Sequence, residues 1–197
     1  MNAPLKASTL NEVHYYLMVT PCPSCSKGPL GLSFLPEGIR PGQPFAVKAA
    51  CAGCSVASEF HFTTDHELPA DPIGSQTINP APSPSRLIDL AQWLSLFHMM
   101  LQVASAQAGR ADTRRQGYQA ALCMAEALKF YDDNELPPES AFFHASTLET
   151  FGQHPEKFAR QRLRDMQAKL PTLGKMAGRL SKDCPERPLR KWWQFWR

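Results

Sequence analysis

The sequence has no uninterrupted hydrophobic run long enough to cross a lipid bilayer as a helix. The most apolar stretch, at 87–104, is broken by five polar or charged residues: Asp89, Gln92, Ser95, His98 and Gln102. The first residues also lack the basic start and apolar run that mark a secretory signal. We therefore expect a cytoplasmic protein, at most peripheral to the inner face of the membrane.

Recognisable catalytic motifs are absent as well. We find no glycine-rich phosphate loop, no nucleophile elbow and no His-x-x-Glu pairing. The adjacent carboxylates of YDDNE at 131–135 are typical of a solvated helix end. We therefore expect no enzymatic activity, no catalytic residues and no small-molecule substrate.

Basic charge is scarce outside the C-terminal region. Residues 155–197 contain 12 Lys or Arg against four Asp or Glu, whereas residues 12–154 contain eight against 14. Contact with nucleic-acid phosphates needs clustered Lys and Arg. If the protein binds nucleic acid, we therefore expect the basic C-terminal region to make the contact.

Two pairs of cysteines are the strongest chemical signal that is present. CPSC at 22–25 and CAGC at 51–54 are separated by 25 residues. Because each tight C-x-x-C turn places two sulfurs on one side, two facing turns supply the thiolate tetrahedron that zinc prefers. We predict that zinc is bound by Cys22, Cys25, Cys51 and Cys54. Four thiolates leave no open coordination position, so this zinc is structural, and His61 and His66 are expected to be surface residues.

Short segments rich in β-branched and aromatic residues flank both cysteine pairs. HYYLMV (14–19) and LGLSFL (30–35) flank the first, and PFAVKAA (44–50) and SVASEFHFTT (55–64) flank the second. These segments predict two hairpins with a metal knuckle at each tip. Gly28 suits a position with positive φ just after the first knuckle.

This arrangement resembles the zinc-ribbon family over residues 12–67, and its knuckles are similar to those of rubredoxin. The resemblance implies that the four cysteines are the metal ligands. Ser26 and Ser55 depart from the rubredoxin pattern, which usually has glycine after the second cysteine, and this favours zinc over iron. A thioredoxin-like redox pair is the remaining alternative, although Gly28, Pro29 and Gly31 prevent the long helix that would follow its second cysteine.

The rest of the chain predicts a linker and a helical domain. LPADPIGSQTINPAPSPS (68–85) is rich in proline and has no periodicity. Helical periodicity follows at about 86–107, with Ser83 or Ser85 as the cap, and at about 113–132, a pair that resembles a single tetratricopeptide-type hairpin without a second copy. Two further helices are expected before 171, and Cys123 is expected to be a small core residue. The stretch from ALKFYDD to HPEKFARQRL resembles bacterial proteins of uncharacterised function.

The C-terminal tail is both aromatic and basic. In RKWWQFWR (190–197), helical spacing places the aromatic residues on one arc and the polar ones opposite. This tail can fold back on its own helical domain, insert into a partner or a second copy, lie in a membrane interface, or stack on single-stranded nucleic acid. The predicted docking residues are Arg190, Lys191, Trp192, Trp193, Phe195, Trp196 and Arg197.

Together these features predict an α+β fold. A small all-β zinc ribbon (12–67) and a proline-rich linker (68–85) precede a mainly α-helical domain, a hairpin or bundle (86–170), and the basic, aromatic tail (171–197). We expect a non-catalytic zinc-ribbon adaptor or assembly protein that docks protein partners or itself, with peripheral membrane contact through the tail. The alternative is a nucleic-acid-binding zinc-ribbon protein that uses the basic C-terminal region.

Overall fold

The computed structural model describes residues 4–64, 78–106 and 111–170. Its helices and strands form an α+β fold, with the strands in the N-terminal half, as the sequence predicts. The chain divides into two compact units between Ala81 and Pro82. The predictions for residues 65–77 and for the tail at 171–197 lie outside the described residues.

A four-stranded sheet forms the centre of the N-terminal unit. Its strands, in chain order, are β1 (Leu5–Ala7), β2 (Leu30–Phe34), β3 (Phe45–Cys51) and β4 (Ala57–Thr64). They lie in the order β1-β4-β3-β2, with β1 parallel to β4 and the other pairs antiparallel. Strand β1 was not expected from the sequence, because three residues are too few to show an alternating pattern.

One helix, α1 (Leu10–Val19), packs on the sheet. The ring of Tyr16 meets that of Phe62 edge-on at 5.8 Å between centroids. Val13 and Leu17 on α1, and Val47 and Phe62 on the sheet, are almost completely buried. The hydrophobic core of this unit therefore lies between α1 and one face of the sheet.

The predicted strand at 14–19 is wrong, because these residues belong to α1. The side chain of Thr9 caps this helix by accepting a hydrogen bond from the backbone N–H of Glu12 at 3.1 Å. The Glu12 carboxylate in turn accepts a hydrogen bond from the backbone N–H of Ser8. This exchange resembles a capping box, whose Thr-x-x-Glu signature in the sequence outweighs the β propensity of the tyrosines and valines that follow.

The second unit contains the remaining four α-helices of the described residues. They are α2 (Leu90–Ala106), α3 (Ala111–Leu128), α4 (Ala145–Gln153) and α5 (Arg160–Ala168), with 3-10 turns at Glu139–Ala141 and Pro155–Phe158. Helices α2 and α3 pack against each other, and Trp93, Leu96, Phe97 and Met124 fill their shared core. Cys123 is completely buried on α3, as expected, and burial raises the pKa of its thiol.

Helix α2 begins four residues later than the sequence predicts. Asp89 accepts a hydrogen bond from the backbone N–H of Gln92, and the Gln92 side chain accepts one from the Asp89 backbone, which makes a reciprocal cap. Ser85 caps the preceding turn instead, by accepting hydrogen bonds from the backbone N–H groups of Leu87 and Ile88.

None of the described helices is both long enough and apolar enough to span a bilayer.

Candidate metal centre

The first knuckle follows α1 directly and leads into β2. The backbone N–H of Ser26 donates to the carbonyl of Cys22 at 2.8 Å, and the N–H of Cys22 donates to the carbonyl of Lys27 at 2.6 Å. These two bonds close the chain around the Cys22–Cys25 turn. The knuckle is therefore held by its own backbone, and α1 takes the place of the strand that the sequence predicted.

The second knuckle is the turn between β3 and β4, and it repeats the first one. The N–H of Ser55 donates to the carbonyl of Cys51 at 2.9 Å, and the N–H of Cys51 donates to the carbonyl of Val56 at 3.1 Å. These are the same two bonds at the same positions relative to the first cysteine. The two C-x-x-C-S segments therefore adopt one backbone structure twice.

The residue after each cysteine pair has a left-handed backbone. Ser26 has φ of 56° and Ser55 has φ of 60°. L-residues pay about 1–2 kcal/mol for this conformation, which glycine adopts without a steric penalty. The expectation that Gly28 would have positive φ is therefore wrong, since the left-handed position falls two residues earlier, on Ser26.

Hydrogen bonds between backbone segments hold the two knuckles side by side. Leu30 at the start of β2 is paired with Cys51 at the end of β3, and the N–H of Ala52 donates to the carbonyl of Pro29 at 3.0 Å. Both residues of this Leu30–Cys51 pair are buried. The β2–β3 register therefore brings together two cysteine pairs that are distant in sequence.

The four sulfur atoms form a compact cluster. The Sγ atoms of Cys22 and Cys54 are 3.7 Å apart, as are those of Cys25 and Cys51, and all four lie within 4.8 Å of one another. Zinc–sulfur bonds of about 2.3 Å in a regular tetrahedron imply sulfur–sulfur distances of about 3.8 Å. All four cysteines are free thiols rather than disulfides. The cluster therefore has the dimensions of a four-thiolate metal site.

Backbone amides point at the sulfurs and favour their ionised form. The N–H of Gly53 donates to the Sγ of Cys51 at 3.3 Å. Hydrogen bonding from the backbone of Ser24, with a smaller contribution from Cys25, lowers the pKa of the Cys22 thiol to about 6. Amide donors of this kind stabilise a thiolate, because they are bound more strongly by the charged sulfur.

The pKa values of Cys25 and Cys54 are nevertheless raised. The backbone of Lys27 lowers the pKa of Cys25, but desolvation and the three neighbouring sulfurs outweigh it and raise that pKa to about 12. The backbone of Val56 lowers the pKa of Cys54, but desolvation, Cys22 and Cys51 outweigh it, so that pKa is raised as well. A divalent cation among the sulfurs removes this repulsion, so metal binding at this site releases protons.

Burial is unequal within each cysteine pair. Cys22 and Cys51, the first of each pair, are 1% and 2% exposed, whereas Cys25 and Cys54 are partly exposed. The cluster therefore joins the hydrophobic core on one side and approaches solvent on the other. A metal ion at this position would link the two knuckles at the edge of the hydrophobic core.

His61, which the sequence predicts to be a surface residue, is not in the cluster. His61 is exposed on β4, with its Nε2 atom 3.3 Å from the carboxylate of Glu59. Within the described residues, the four cysteines are the group of His, Cys, Asp and Glu that is close enough to hold an ion. His66 and the tail residues from Arg190 to Arg197 lie outside the described part of the chain.

Two features of this site were missed by sequence reasoning. The helix that precedes the first knuckle was signalled by the Thr-x-x-Glu cap at Thr9. The amide donors to the sulfurs follow from the knuckle conformation and leave no signal in residue identity.

Comparison with known proteins adds no relative: no family model, no curated protein and no solved structure matches the chain.

Proposed function

We propose that this chain is a non-catalytic adaptor or assembly protein whose N-terminal unit is a structural zinc ribbon. The observation that carries the metal assignment is the cluster of four cysteine sulfurs, two of whose separations are 3.7 Å. Two knuckles of the same backbone structure supply the sulfurs. The donor set is all thiolate, which zinc accepts and which magnesium or calcium does not.

A structural role for the zinc follows from the number of ligands. Four thiolates complete a tetrahedron, so neither water nor substrate has a coordination position to occupy. A four-stranded sheet with one helix also buries a small core, for which structural zinc can supply an apparent ~10–16 kcal/mol of coupled binding and folding. The metal then maintains a rigid surface on which a partner can dock.

The docking residues that we propose are those of the aromatic tail. Its last eight residues contain three tryptophans, one phenylalanine and three cations. Aromatic residues and arginine are enriched at the energetic centres of protein interfaces. This tail contacts a protein partner or a membrane surface, and the zinc unit provides the second point of attachment.

Metal analysis of two cysteine variants tests the metal assignment. Purified protein should contain about one zinc per chain, and Cys51→Ser should lose it because three ligands hold zinc far less tightly. Cys123→Ala is the matched control, since Cys123 is buried on α3 and is not one of the four clustered cysteines. Full zinc retention in Cys51→Ser would reject the four-cysteine site.

A nucleic-acid-binding function is the second candidate, and exposed cations on α5 favour it. Arg162 and Arg164 on this helix and Lys157 just before it are exposed. Among the described residues, none of the three has a carboxylate within ion-pair distance. Retention on heparin at two salt concentrations, beside flotation with anionic vesicles, separates the functions. Steeply salt-dependent retention without flotation would favour nucleic acid over the adaptor.

A further inference from the structure

Two contacts between sulfur atoms join one knuckle to the other. The Sγ of Cys54 lies 3.7 Å from that of Cys22, and the Sγ of Cys25 lies 3.7 Å from that of Cys51. Cys25 and Cys54 are partly exposed, whereas Cys22 and Cys51 are buried. Each partly exposed cysteine therefore contacts a buried cysteine of the other knuckle.

An exposed thiolate beside a second thiolate is the arrangement that reversible oxidation needs. A peroxide reacts first with the more accessible thiolate, and the sulfenic acid that forms there condenses with a neighbouring thiolate to give a disulfide. Zinc, when bound, keeps the cysteine sulfurs in the thiolate form that reacts. In this site the neighbour of each partly exposed sulfur is already in contact with it, so the second step needs no rearrangement of the sheet.

Backbone hydrogen bonds, which do not involve the sulfurs, set the two knuckles side by side. Leu30 is paired with Cys51 across β2 and β3, and the N–H of Ala52 donates to the carbonyl of Pro29 at 3.0 Å. Oxidation of the assembled site therefore begins from two turns whose sulfurs already face each other.

We propose that Cys25 and Cys54 are oxidation sites, at which a peroxide converts the metal centre into two disulfides that cross the knuckles, Cys22–Cys54 and Cys25–Cys51. The thiolates are oxidised and the peroxide is reduced: four thiolates, two molecules of hydrogen peroxide and four protons give two disulfides and four molecules of water. Sulfurs that are bonded to each other are no longer thiolate ligands, so the zinc leaves. A dithiol reductant reverses the reaction. The inference rests on the proposed function, because zinc is the ion released.

The pairing decides whether the oxidised unit stays folded. Disulfides across the knuckles join residues that are 32 and 26 positions apart, whereas a disulfide within a C-x-x-C pair joins residues three positions apart and leaves the knuckles unconnected. Closing a longer loop removes more entropy from the unfolded chain. We therefore expect the oxidised, metal-free N-terminal unit to keep its sheet, unlike the reduced, metal-free unit.

Tryptic mapping without reduction tests the pairing in the full chain. Trypsin leaves the first cysteine pair in peptide 7–27 and the second in peptide 49–86, because neither peptide has an internal Lys or Arg. After hydrogen peroxide treatment of the zinc-loaded protein, the two peptides should appear as one linked species, lighter than their sum by the hydrogens of two disulfides. Separate peptides, each with its own disulfide, would overturn the proposal. Cys123, which is completely buried on α3, is the internal control and should remain a free thiol.

The variant Cys54→Ser distinguishes the two ways of linking the knuckles. Its oxidised form should contain a Cys25–Cys51 disulfide and leave Cys22 open to alkylation. A Cys22–Cys51 disulfide in this variant would overturn the proposed pairs. The wild-type map tests the link between the knuckles even if the variant fails to fold.

Zinc release and hydrogen exchange on the same samples test the consequences. A chromophoric chelator should detect about one zinc per chain after oxidation and almost none before it. Amides of β3 and β4 should exchange at least about tenfold more slowly in the oxidised, metal-free protein than in reduced protein with a strong chelator. Equal exchange would overturn the proposal. Absence of zinc from the untreated protein would instead reject the proposed function, while the tryptic map still decides the pairing.

Discussion

Ser26 and Ser55 occupy the same position in the two knuckles, and both have a left-handed backbone, with φ of 56° and 60°. Each donates its backbone N–H to the carbonyl of the first cysteine of its pair. The chain thus places a serine twice where the geometry favours glycine. The turn that carries each pair of sulfurs is therefore formed at a steric cost, which the hydrogen bonds of the knuckle and the sheet offset.

Replacing either serine by glycine should stabilise the N-terminal unit. Relief of the left-handed strain, about 1–2 kcal/mol, exceeds the entropy that glycine adds to the unfolded chain, so Ser26→Gly should gain roughly 0.5–1 kcal/mol. Chemical denaturation with zinc present measures the gain. Ser24→Gly in the same knuckle is the control, because Ser24 has no positive φ and should gain nothing. Equal effects at both positions would contradict this account of the strain.

Removing the metal should unfold the N-terminal unit and spare the helical one. The four sulfurs belong to the first unit, whereas the cores of α2 and α3 are built from hydrophobic residues of the second. Hydrogen exchange measured peptide by peptide, with and without a chelator, checks this. Amides of β2, β3 and β4 should lose protection, and those of α2 and α3 should keep theirs. Loss of protection throughout would mean that the two units do not unfold independently.

Acidification should destabilise the N-terminal unit through His14. Burial lowers the pKa of this imidazole to about 4, from an unfolded value near 6.5. Between these values the unfolded chain binds the proton and the folded chain does not, so stability is lost as pH falls from 6.5 toward 4. At pH 5 the loss amounts to about 2 kcal/mol relative to neutral pH.

The comparison for His14 is the variant His14→Gln, which does not titrate. With saturating zinc, the free energy of unfolding of the native chain should fall between pH 7.5 and 5 by about 2 kcal/mol more than that of the variant. Protons also compete with zinc for the cysteines, but they do so equally in both proteins. The difference between the two free energies of unfolding therefore reports His14 alone. Parallel pH profiles would show that His14 is protonated equally in both states.

The carboxylate of Asp89 should be essential to the helical unit. It caps α2 through Gln92 and also bonds Phe143 and Thr147, while it is completely buried. Asp89→Ala leaves several buried donors without an acceptor, so it should cost about 2–4 kcal/mol. Thr147→Val removes one of these bonds and should cost about 1 kcal/mol. Thermal unfolding measures both, with exposed Asp165→Ala as a control; equal stability of all three would contradict this role.

The sequence was sufficient for the four candidate cysteines, each pair in its own turn, and for the change from strands to helices. Cysteine spacing is read locally, because a C-x-x-C turn places its two sulfurs together whatever surrounds it. Helical periodicity at about 86–107 and about 113–132 likewise predicted α2 and α3 to within about four residues at each end. The buried role of Asp89 was not predicted, because a carboxylate in an apolar run looks like an interruption until its hydrogen-bond donors, some 54–58 residues away, are known.

Residue identity by itself determined which sulfurs are available and that each pair lies in one tight turn. Only the tertiary structure decided that the two turns meet, because this depends on the β2–β3 register that sets Leu30 opposite Cys51. It also decided that residues 14–19 form a helix, where a cap at Thr9 and a sheet face to cover outweigh strand propensity. Propensities are local and weak, whereas burial against a partner element is the larger free energy, and the chain adopts the structure that burial favours.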